Sequence, residues 1–325
     1  MTHVQAPSRL HFGLLSLPVP DRERWPDGSP VRQFGGVGLM IDSPGIGVRV
    51  SPATQWSARG PNAERALAFA RLFSATLPTE RPQSYAIEVE SCPPQHTGLG
   101  SGTALALAVA KAIASEAGHG DWSSVELAQR ANRGERSAIG VYGFDRGGLI
   151  VEAGKLPGER ISPLIGRWSF PSEWRIVLLR PRTAEAWHGP KEREAFASLP
   201  KNNATETLCR IVVTGLLPAI ASKDIDAFGE ALHEYNARAG EGFATAQGGT
   251  WAGPAVAECV AFLRSEGIRG VGQSSWGPTV FAVVEDERRA DEVCQRIARG
   301  LSIPLESTIV TRAAERGAVV DRVVG

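Results

Sequence analysis

The residues best placed to do chemistry begin with a run of glycines near residue 100. Residues 96–112 read HTGLGSGTALALAVAKA, which places three glycines around Ser101 directly before an alanine-rich helix pattern. Glycine permits a positive φ and a close approach of ligand to backbone, because it has no Cβ. The first N–H groups of the following helix, and its dipole, can then bind phosphate without a basic side chain. A plain helix start capped by Ser101 or Thr103 is the simpler alternative.

Two common phosphate-binding motifs do not fit this loop. A Walker A loop ends in Lys-Ser or Lys-Thr, whereas Gly102 is followed by Thr-Ala. A dinucleotide fingerprint needs GxGxxG, and the run GLGSG lacks the last glycine at that spacing. The sequence therefore predicts a phosphate loop of another type, formed by Gly98, Leu99, Gly100, Ser101, Gly102 and Thr103.

A strand near the start of the chain and a turn near its end add polar side chains. Residues 6–13 read APSRLHFG, and alternation along a strand places Arg9 and His11 on one face. Residues 272–279 read GQSSWGPT, which gathers amide and hydroxyl side chains around a tryptophan and a Gly-Pro turn. Taken separately, a half-exposed strand and a hairpin turn also explain these two stretches.

A second glycine-rich stretch lies between them. Residues 32–39 read RQFGGVGL, and glycine inside a strand weakens it unless a ligand or another backbone comes close. We therefore predict a close approach at Gly35 and Gly36. Arg32 begins the stretch, and the fork of its guanidinium suits phosphate oxygens.

The composition excludes several classes of protein. The 325 residues suggest about two domains, and 35 basic against 35 acidic residues leave no field that would favour nucleic acid or a charged membrane. The four cysteines have no metal-binding spacing, so we expect free thiols. We recognise neither a signal peptide nor an apolar run of about 18 residues, and we expect a cytoplasmic protein without membrane or nucleic-acid partners.

Periodicity predicts the elements that would hold these stretches. Strands and helices mix without a steady βα alternation, which favours an α+β fold over a doubly wound sheet. A turn at residues 43–45 separates two predicted strands, and the domain boundary is placed between residues 168 and 169. The predicted strands cover 8–17, 33–42, 45–51, 54–59, 85–91, 146–153, 174–180, 269–274, 279–284 and 306–311. The predicted helices cover 62–77, a segment that starts in the glycine loop, 123–133, 203–221, 224–239, 255–266 and 288–299.

In order and separation, these stretches resemble the three motifs of the GHMP kinase superfamily. The motifs are Ala-Pro near the start, the GLGSG loop near residue 100 and the Gly/Ser-rich turn near residue 275. The resemblance implies an N-terminal ribosomal-S5-like domain over residues 1–168 and a C-terminal ferredoxin-like α/β sandwich over 169–325. It also implies a site in the cleft between them.

A closer resemblance covers nearly the whole chain. PSRLHFGL, RxxGGVGL, HTGLGSGTALALA, SAIGVYGFDRGGLIVEAG, LLPAIASKDIDAFGEAL, AQGG and QSSWGPTVFAV are similar to the β-ribofuranosylaminobenzene 5′-phosphate synthase family. Members of that family are phosphoribosyltransferases of tetrahydromethanopterin biosynthesis. They join 5-phosphoribosyl 1-diphosphate to 4-aminobenzoate or 4-hydroxybenzoate and release pyrophosphate and CO2.

The resemblance gives the candidate residues their roles. Asp145, Arg9 and His11 are expected to be catalytic, with Asp145 also the ligand of a Mg²⁺ that accompanies the donor; no organic cofactor is expected. Arg32 and the loop 98–103 would bind phosphate. Substrate contacts are expected from Gly35, Gly36, Gln247, Gln273, Ser274, Ser275 and Trp276. The partners would be the two small-molecule substrates and a second copy of the chain in a homodimer.

Two other functions fit the same stretches. An ATP-dependent small-molecule kinase would share the fold and the loop, and kinases of the superfamily often carry an Asp in an SGxD motif. Here residues 137–140 read SAIG, which puts Gly140 where that carboxylate would be. A C-glycoside synthesis has no nucleophile proton to remove, so it does not need the carboxylate. A non-catalytic sensor of a phosphate ligand is the third alternative.

Overall fold

Two mainly antiparallel sheets carry the structure, a computed structural model that describes residues 1–17, 23–78, 83–181 and 204–322. The strands are β1 (Thr2–Ser16), β2 (Phe34–Ala53), β3 (Ser57–Arg59), β4 (Ser84–Ser91), β5 (Leu149–Glu152), β6 (Leu164–Trp168), β7 (Arg175–Leu179), β8 (Gly270–Gln273), β9 (Val280–Val284), β10 (Thr308–Thr311) and β11 (Val319–Arg322). The first sheet has the order β11-β1-β2-β4-β3, with β5 beside β2 and β6 beside β5. The second has the order β10-β7-β9-β8.

Ten α-helices among the described residues cover and separate the sheets. They are α1 (Ala63–Ser74), α2 (Ser101–Glu116), α3 (Ser124–Arg130), α4 (Ile139–Arg146), α5 (Thr205–Ile211), α6 (Leu217–Ser222), α7 (Ile225–Glu241), α8 (Ala244–Gln247), α9 (Pro254–Ser265) and α10 (Glu287–Gly300). A π-helical turn, Val212–Leu216, joins α5 to α6. Side-chain caps set the starts of α3, α7 and α10, where Ser123, Asp224 and Asp286 each accept a backbone N–H three residues on.

Three core clusters follow from this layering. Helix α2 is buried on almost every side between the first sheet and helices α1, α3 and α4, which its alanine-rich sequence allows. The opposite face of the first sheet packs on α5–α7 and the second sheet, where the Phe12 and Phe281 rings lie 5.3 Å apart. The far face of the second sheet packs on α9 and α10.

The predicted break at residues 43–45 is wrong, because β2 is a single strand of 20 residues. It pairs with β1 on both sides of Pro44, and the register shifts between Ala6 and Ser8. A proline has no N–H to give to a ladder, so it is tolerated at such an irregularity. Four elements were missed altogether, the short helices α4 and α8 and the strands β6 and β11.

The α+β expectation is confirmed, as are the four free cysteines. Strand β6 belongs to the first sheet and β7 to the second, but β11 returns to pair with β1. One position in the chain therefore does not separate the two sheets cleanly, and the division at residues 168 and 169 stays a prediction. The first residue of the predicted helix 203–221 lies outside the described residues.

One helical run stands out by its composition. Thr205–Ser222 is long enough, with a mean hydropathy of 1.2, to cross a membrane by length and composition alone. Core helices of soluble proteins pass the same test, and Leu208, Ile211 and Leu216 of this run are buried in the second core cluster. The sequence was expected to hold no apolar run of about 18 residues, so this candidate was not anticipated.

Candidate functional site

A cavity of about 220 Å³ lies where the two sheets meet. Its wall combines β1, the first turn of α2, the segment between α3 and α4, helix α7 and the turn after β8. The lining residues are Arg9, His11, Phe12, Gly13, Leu14, Thr103, Asn132, Arg133, Gly134, Glu135, Arg136, Ser137, Asn236, Ala239, Gly240, Phe243, Gln247, Thr250, Trp251, Gln273, Ser275 and Trp276.

Arg9 is held against the glycine loop. Its Nη1 donates to the Gly98 carbonyl at 3.1 Å, and its backbone N–H donates to the Leu99 carbonyl at 3.1 Å. A Cβ placed on Gly100 would stand 2.6 Å from Arg9 Cγ, so a larger residue there would displace the arginine stem. Strand β1 thus delivers a half-buried guanidinium to the cavity wall beside Thr103.

His11 lines the same cavity, two residues along β1, as the strand alternation predicts. Its side chain is buried, and this burial, with the nearby Arg9 charge, holds the imidazole pKa well below its usual range. The backbone N–H of His11 donates to Ser274 Oγ at 3.0 Å, and the backbone carbonyl of His11 accepts from the Ser275 N–H at 3.0 Å. The site therefore holds a neutral imidazole at neutral pH.

The glycine loop takes the left-handed backbone that its sequence predicts. Gly98 has φ 84° and Gly100 has φ 69°. Gly100 is the N-cap of α2 and offers no side chain, so the simpler alternative of a Ser101 or Thr103 cap is wrong. The Gly100 carbonyl accepts from the Thr103 and Ala104 N–H groups, and no side-chain hydrogen bond caps the start of the helix. Of the six predicted loop residues, only Thr103 lines the cavity.

The turn after β8 is fastened to the loop and to β1. Ser274 Oγ donates to the Gly98 carbonyl at 2.8 Å and accepts from the backbone N–H of His11, so Ser274 connects the glycine loop to β1. It does not line the cavity. Gln273 Nε2 donates to the Ser275 carbonyl at 2.7 Å. Trp276 packs edge-on against Phe243 at 4.5 Å between ring centroids. Gln273, Ser275 and Trp276 do line the cavity, and so does Gln247.

The structure does not bring Arg32 or Asp145 to the cavity. Both terminal nitrogens of Arg32 donate to the Glu159 carboxylate, at 2.6 and 3.0 Å. The carboxylate therefore occupies the two donors that were expected to bind phosphate. The Asp145 carboxylate is exposed and accepts from the Ser124 N–H and hydroxyl at 2.9 and 2.7 Å. The phosphate role of Arg32 and the catalytic role of Asp145 therefore have no support in this geometry.

The predicted metal ligand has no companions either. Within the described ranges, no group of three or more His, Cys, Asp or Glu side chains is placed to hold a metal ion. Asp145 alone, already bonded at the start of α3, is a poor fit for Mg²⁺. The residues present do not fit a resident Mg²⁺.

Gly35 and Gly36 serve backbone packing instead of a ligand. Gly35 has φ 71°, and a Cβ there would stand 2.9 Å from the Gly154 nitrogen. A Cβ on Gly36 would stand 2.6 Å from the Gly13 carbonyl oxygen. Neither residue lines the cavity, so the close approach predicted for this stretch is that of neighbouring strands.

Several lining residues were missed by the sequence analysis. Asn236 is buried, donates to the Phe12 and Gln273 carbonyls at 2.5 and 2.9 Å, and accepts from the Gln273 N–H at 2.7 Å. The sequence carried a signal for it, because Asn236 continues the i, i+4 spacing of Phe228 and Leu232 on the buried face of α7. The charged segment 132–137 shows no comparable pattern. The other missed residues of the wall are Phe12, Gly13, Leu14, Ala239, Gly240, Phe243, Thr250 and Trp251.

The cavity combines cationic and aromatic walls. Arg9, Arg133 and Arg136 bring positive charge, and Phe243, Trp251 and Trp276 bring flat apolar surface. Such a wall can hold a ligand that joins an anionic group to a ring, since guanidinium binds phosphate and carboxylate while aromatic side chains stack on a ring.

The chain is similar to known protein families over most of its length. The family model of the GHMP kinase N-terminal domain matches residues 64–147, and that of the C-terminal domain matches 216–303. The chain is similar to β-ribofuranosylphenol 5′-phosphate synthase of Methanothermobacter thermautotrophicus, with 31% identity over 87% of this chain and 89% of the relative. The protein of the same name from Archaeoglobus fulgidus is 30% identical over 99% of this chain and 100% of its own length.

Solved structures agree on the fold. A homoserine kinase from Cytophaga hutchinsonii superposes with a TM-score of 0.70 at 18% identity, covering 98% of this chain and 97% of that one. Mevalonate diphosphate decarboxylase from Staphylococcus aureus gives 0.60 at 14% identity, covering 98% of each chain. At these identities the likeness shows the fold alone. The GHMP kinase fold expected from the sequence is thereby confirmed.

Proposed function

Because the chain belongs to the β-ribofuranosylphenol 5′-phosphate synthase family, we propose that it is a decarboxylating phosphoribosyltransferase. It joins 5-phosphoribosyl 1-diphosphate to a para-substituted benzoate and releases CO2 and pyrophosphate. The product is a C-riboside 5′-phosphate of tetrahydromethanopterin biosynthesis, made in the cytoplasm. The observation that carries the proposal is the cavity wall, which combines arginines with aromatic rings around a neutral histidine.

The reaction forms one carbon–carbon bond and breaks two bonds. The anomeric carbon loses its bond to the diphosphate oxygen, and the electron pair leaves with pyrophosphate. The ring carbon that bears the carboxylate attacks the sugar, pushed by the para amino or hydroxyl group. Cleavage of the bond to the carboxylate releases CO2 and returns its electron pair to the ring.

This chemistry asks for positioning and charge stabilisation, with no general base. The departing diphosphate needs positive charge, which Arg9 and its neighbours in the wall supply. The ring must lie within reach of the anomeric carbon, and stacking against the wall of Phe243 and Trp276 would orient it. Water must be kept from the oxocarbenium-like sugar, a task that suits a cavity with this apolar wall.

A neutral His11 is compatible with this scheme. Its pKa is lowered by burial and by Arg9, so it carries no proton to donate as an acid near pH 7. A neutral imidazole can still accept or donate one hydrogen bond to a polar group of either substrate. We therefore assign His11 to substrate binding.

The acceptor is the least defined substrate. The relatives are named for a ribofuranosylphenol, whose ring carries a hydroxyl group. This favours 4-hydroxybenzoate as the first acceptor to test, with 4-aminobenzoate as the alternative. Mg²⁺ would enter bound to the donor's phosphates, without an assigned protein ligand, and the homodimer remains part of the proposal.

The test is release of CO2 from carboxyl-labelled acceptor. Purified protein is incubated with phosphoribosyl diphosphate, Mg²⁺ and labelled 4-hydroxybenzoate or 4-aminobenzoate, and label in the gas phase is counted against pyrophosphate formed. We expect equal amounts of CO2 and pyrophosphate. Unsubstituted benzoate, which has no para donor, should give almost no CO2.

The two alternatives predict other outcomes in the same assay. A kinase would transfer phosphate from ATP to homoserine, mevalonate or galactose at about 1 s⁻¹ or faster, which would overturn the synthase assignment. A sensor would bind phosphoribosyl diphosphate in calorimetry but release neither product.

A further inference from the structure

Two arginines share one aromatic ring at the start of helix α2. The Arg65 guanidinium carbon lies 5.4 Å from the centroid of the Phe69 ring, and that of Arg133 lies 4.4 Å from it. Phe69 is buried, and both arginine side chains are half-buried. Cation–π contacts of this kind fix the position of a guanidinium without neutralising its charge.

Neither charge is balanced in the part of the chain that the structure describes. No carboxylate or hydrogen-bond acceptor pairs with either guanidinium there, and the buried Arg133 Nε has no partner. Burial lowers the pKa of both arginines, and the Arg65 charge lowers that of Arg133 further. Two half-buried like charges that repel one another cost free energy that a bound anion would recover.

A nearby arginine shows how this chain satisfies such a group elsewhere. Arg130 lies over the Trp122 ring at 3.9 Å, a stacking similar to that of Arg133. It also pairs with Glu126 at 3.0 Å and donates to the Thr76 carbonyl at 2.8 Å. An arginine stacked on a ring in this chain can thus also have a carboxylate and a carbonyl as partners, which Arg65 and Arg133 lack among the described residues.

The arginine pair faces the uncapped end of α2. A Cβ on Gly102 would stand 2.5 Å from Arg65 Nη2, so this guanidinium lies on the first turn of the helix. Arg133 and Thr103 line the cavity together. Two guanidinium groups and the positive end of the helix thus converge beside the cavity.

We propose that Arg65 and Arg133 bind the diphosphate group of the donor, beside the first turn of α2. This proposal rests on the proposed function and deepens it, because it gives the diphosphate end of the donor a location. A diphosphate carries more negative charge than one phosphate ester and has oxygens on two phosphorus atoms, one for each guanidinium. The electron pair released from the anomeric carbon would accumulate on oxygens that these groups hold.

Calorimetry with inorganic pyrophosphate tests the site without catalysis. We expect Arg65→Gln and Arg133→Gln each to weaken pyrophosphate binding at least tenfold, or about 1.4 kcal/mol. Arg130→Gln is the matched control and should bind pyrophosphate like the wild type. Inorganic phosphate should bind at least tenfold more weakly than pyrophosphate to the wild-type protein.

Gly102→Ala tests the same site without removing a charge. The added methyl would meet the flexible end of Arg65 and push the guanidinium off the helix, while alanine favours the helix itself. We expect the melting temperature to hold or rise while pyrophosphate affinity falls at least threefold. This variant keeps the proposal testable if Arg133→Gln does not fold.

Wild-type pyrophosphate affinity in Arg65→Gln and Gly102→Ala would overturn the proposal. Equal affinity of the wild-type protein for phosphate and pyrophosphate would also overturn it, in favour of a site for a single phosphate. Failure of the proposed function would look different, because pyrophosphate binding would still depend on both arginines while labelled CO2 was absent.

Discussion

Arg9 is the cation of the cavity wall whose contacts are best defined, since one nitrogen and its backbone both bond to the glycine loop. We expect Arg9→Lys to lower kcat/KM for phosphoribosyl diphosphate about tenfold, because an ammonium cannot both bond to Gly98 and offer a fork to phosphate. Steady-state kinetics with varied donor measure this. Arg49→Lys is the control and should match the wild type. Arg49 lies on β2 and forms an exposed ion pair with Glu90 of β4. Unchanged kinetics in Arg9→Lys would remove it from the donor site.

Gly140 separates the effect of a side chain from the effect of its charge. A Cβ there would lie 3.7 Å from Arg9 and from Thr103, in ordinary contact, so Gly140→Ala should fit and raise stability by about 0.5–1 kcal/mol. Gly140→Asp should also favour the start of α4. Its carboxylate would pair with Arg9, however, and we expect at least a tenfold loss in kcat/KM for the donor. The two variants are compared by urea unfolding and by kinetics, and equal activity would contradict this account.

Residue types alone could not distinguish the partners of charged groups. Strand alternation, a local property, correctly put Arg9 and His11 on one face, whereas the glycine loop was expected in the same cleft only from the family resemblance. It also favoured Arg32, whose partner Glu159 is 127 residues away. Nothing local to Arg32 could reveal that this carboxylate already occupies its guanidinium. Arg65 was overlooked for the converse reason, since its significance lies in a partner that is missing.

At the scale of elements, the loop before α2 and the turn after β8 stabilise one another through Ser274. We expect Ser274→Ala to lower the free energy of unfolding by about 1–3 kcal/mol, because the buried His11 N–H and one bond to the Gly98 carbonyl lose their partner. Urea denaturation measures the loss. Ser265→Ala removes an exposed hydroxyl bonded to the Phe262 carbonyl and should change stability by less than about 0.5 kcal/mol. Equal losses in the two variants would contradict the role of Ser274.

Most helices and strands could be predicted from periodicity and caps. Helix α7 begins after Asp224 and helix α9 is followed by Gly267, as their sequence signals indicate. Strand β2 was divided because Pro44 normally interrupts a ladder. Its continuation depends on where β1 shifts register, which is a property of the partner strand. Helix α4 was missed because its eight residues start without a side-chain cap.

For the whole molecule, the buried His11 gives stability a direction with pH. In the folded protein its pKa is held well below the usual range, whereas the unfolded chain binds a proton near pH 6.5. Between these two values the unfolded state holds more protons, so the free energy of unfolding falls as pH is lowered below about 6.5. One such group contributes a slope of at most about 1.4 kcal/mol per pH unit.

His11→Asn isolates this contribution, because asparagine does not titrate. Glu152 is buried with its pKa raised by that burial, and it acts in the opposite direction, lowering stability as pH rises above about 4.5. Both proteins keep Glu152, so its effect cancels in the comparison. Urea unfolding at several pH values from 5 to 7.5 should show a shallower increase of stability with pH in the variant. Parallel curves would assign the pH dependence to other groups.

The junction at Ser274 also determines how the molecule moves. Three segments that are far apart in the chain meet there through buried hydrogen bonds, and Asn236 adds bonds from α7 to β1 and β8. Swinging the two halves apart would break all of them at once, at about 1–3 kcal/mol for each group left without a partner. We therefore expect little movement between these segments, so that substrates enter the cavity past the side chains at its mouth. Small-angle scattering should give the same radius of gyration with and without saturating pyrophosphate.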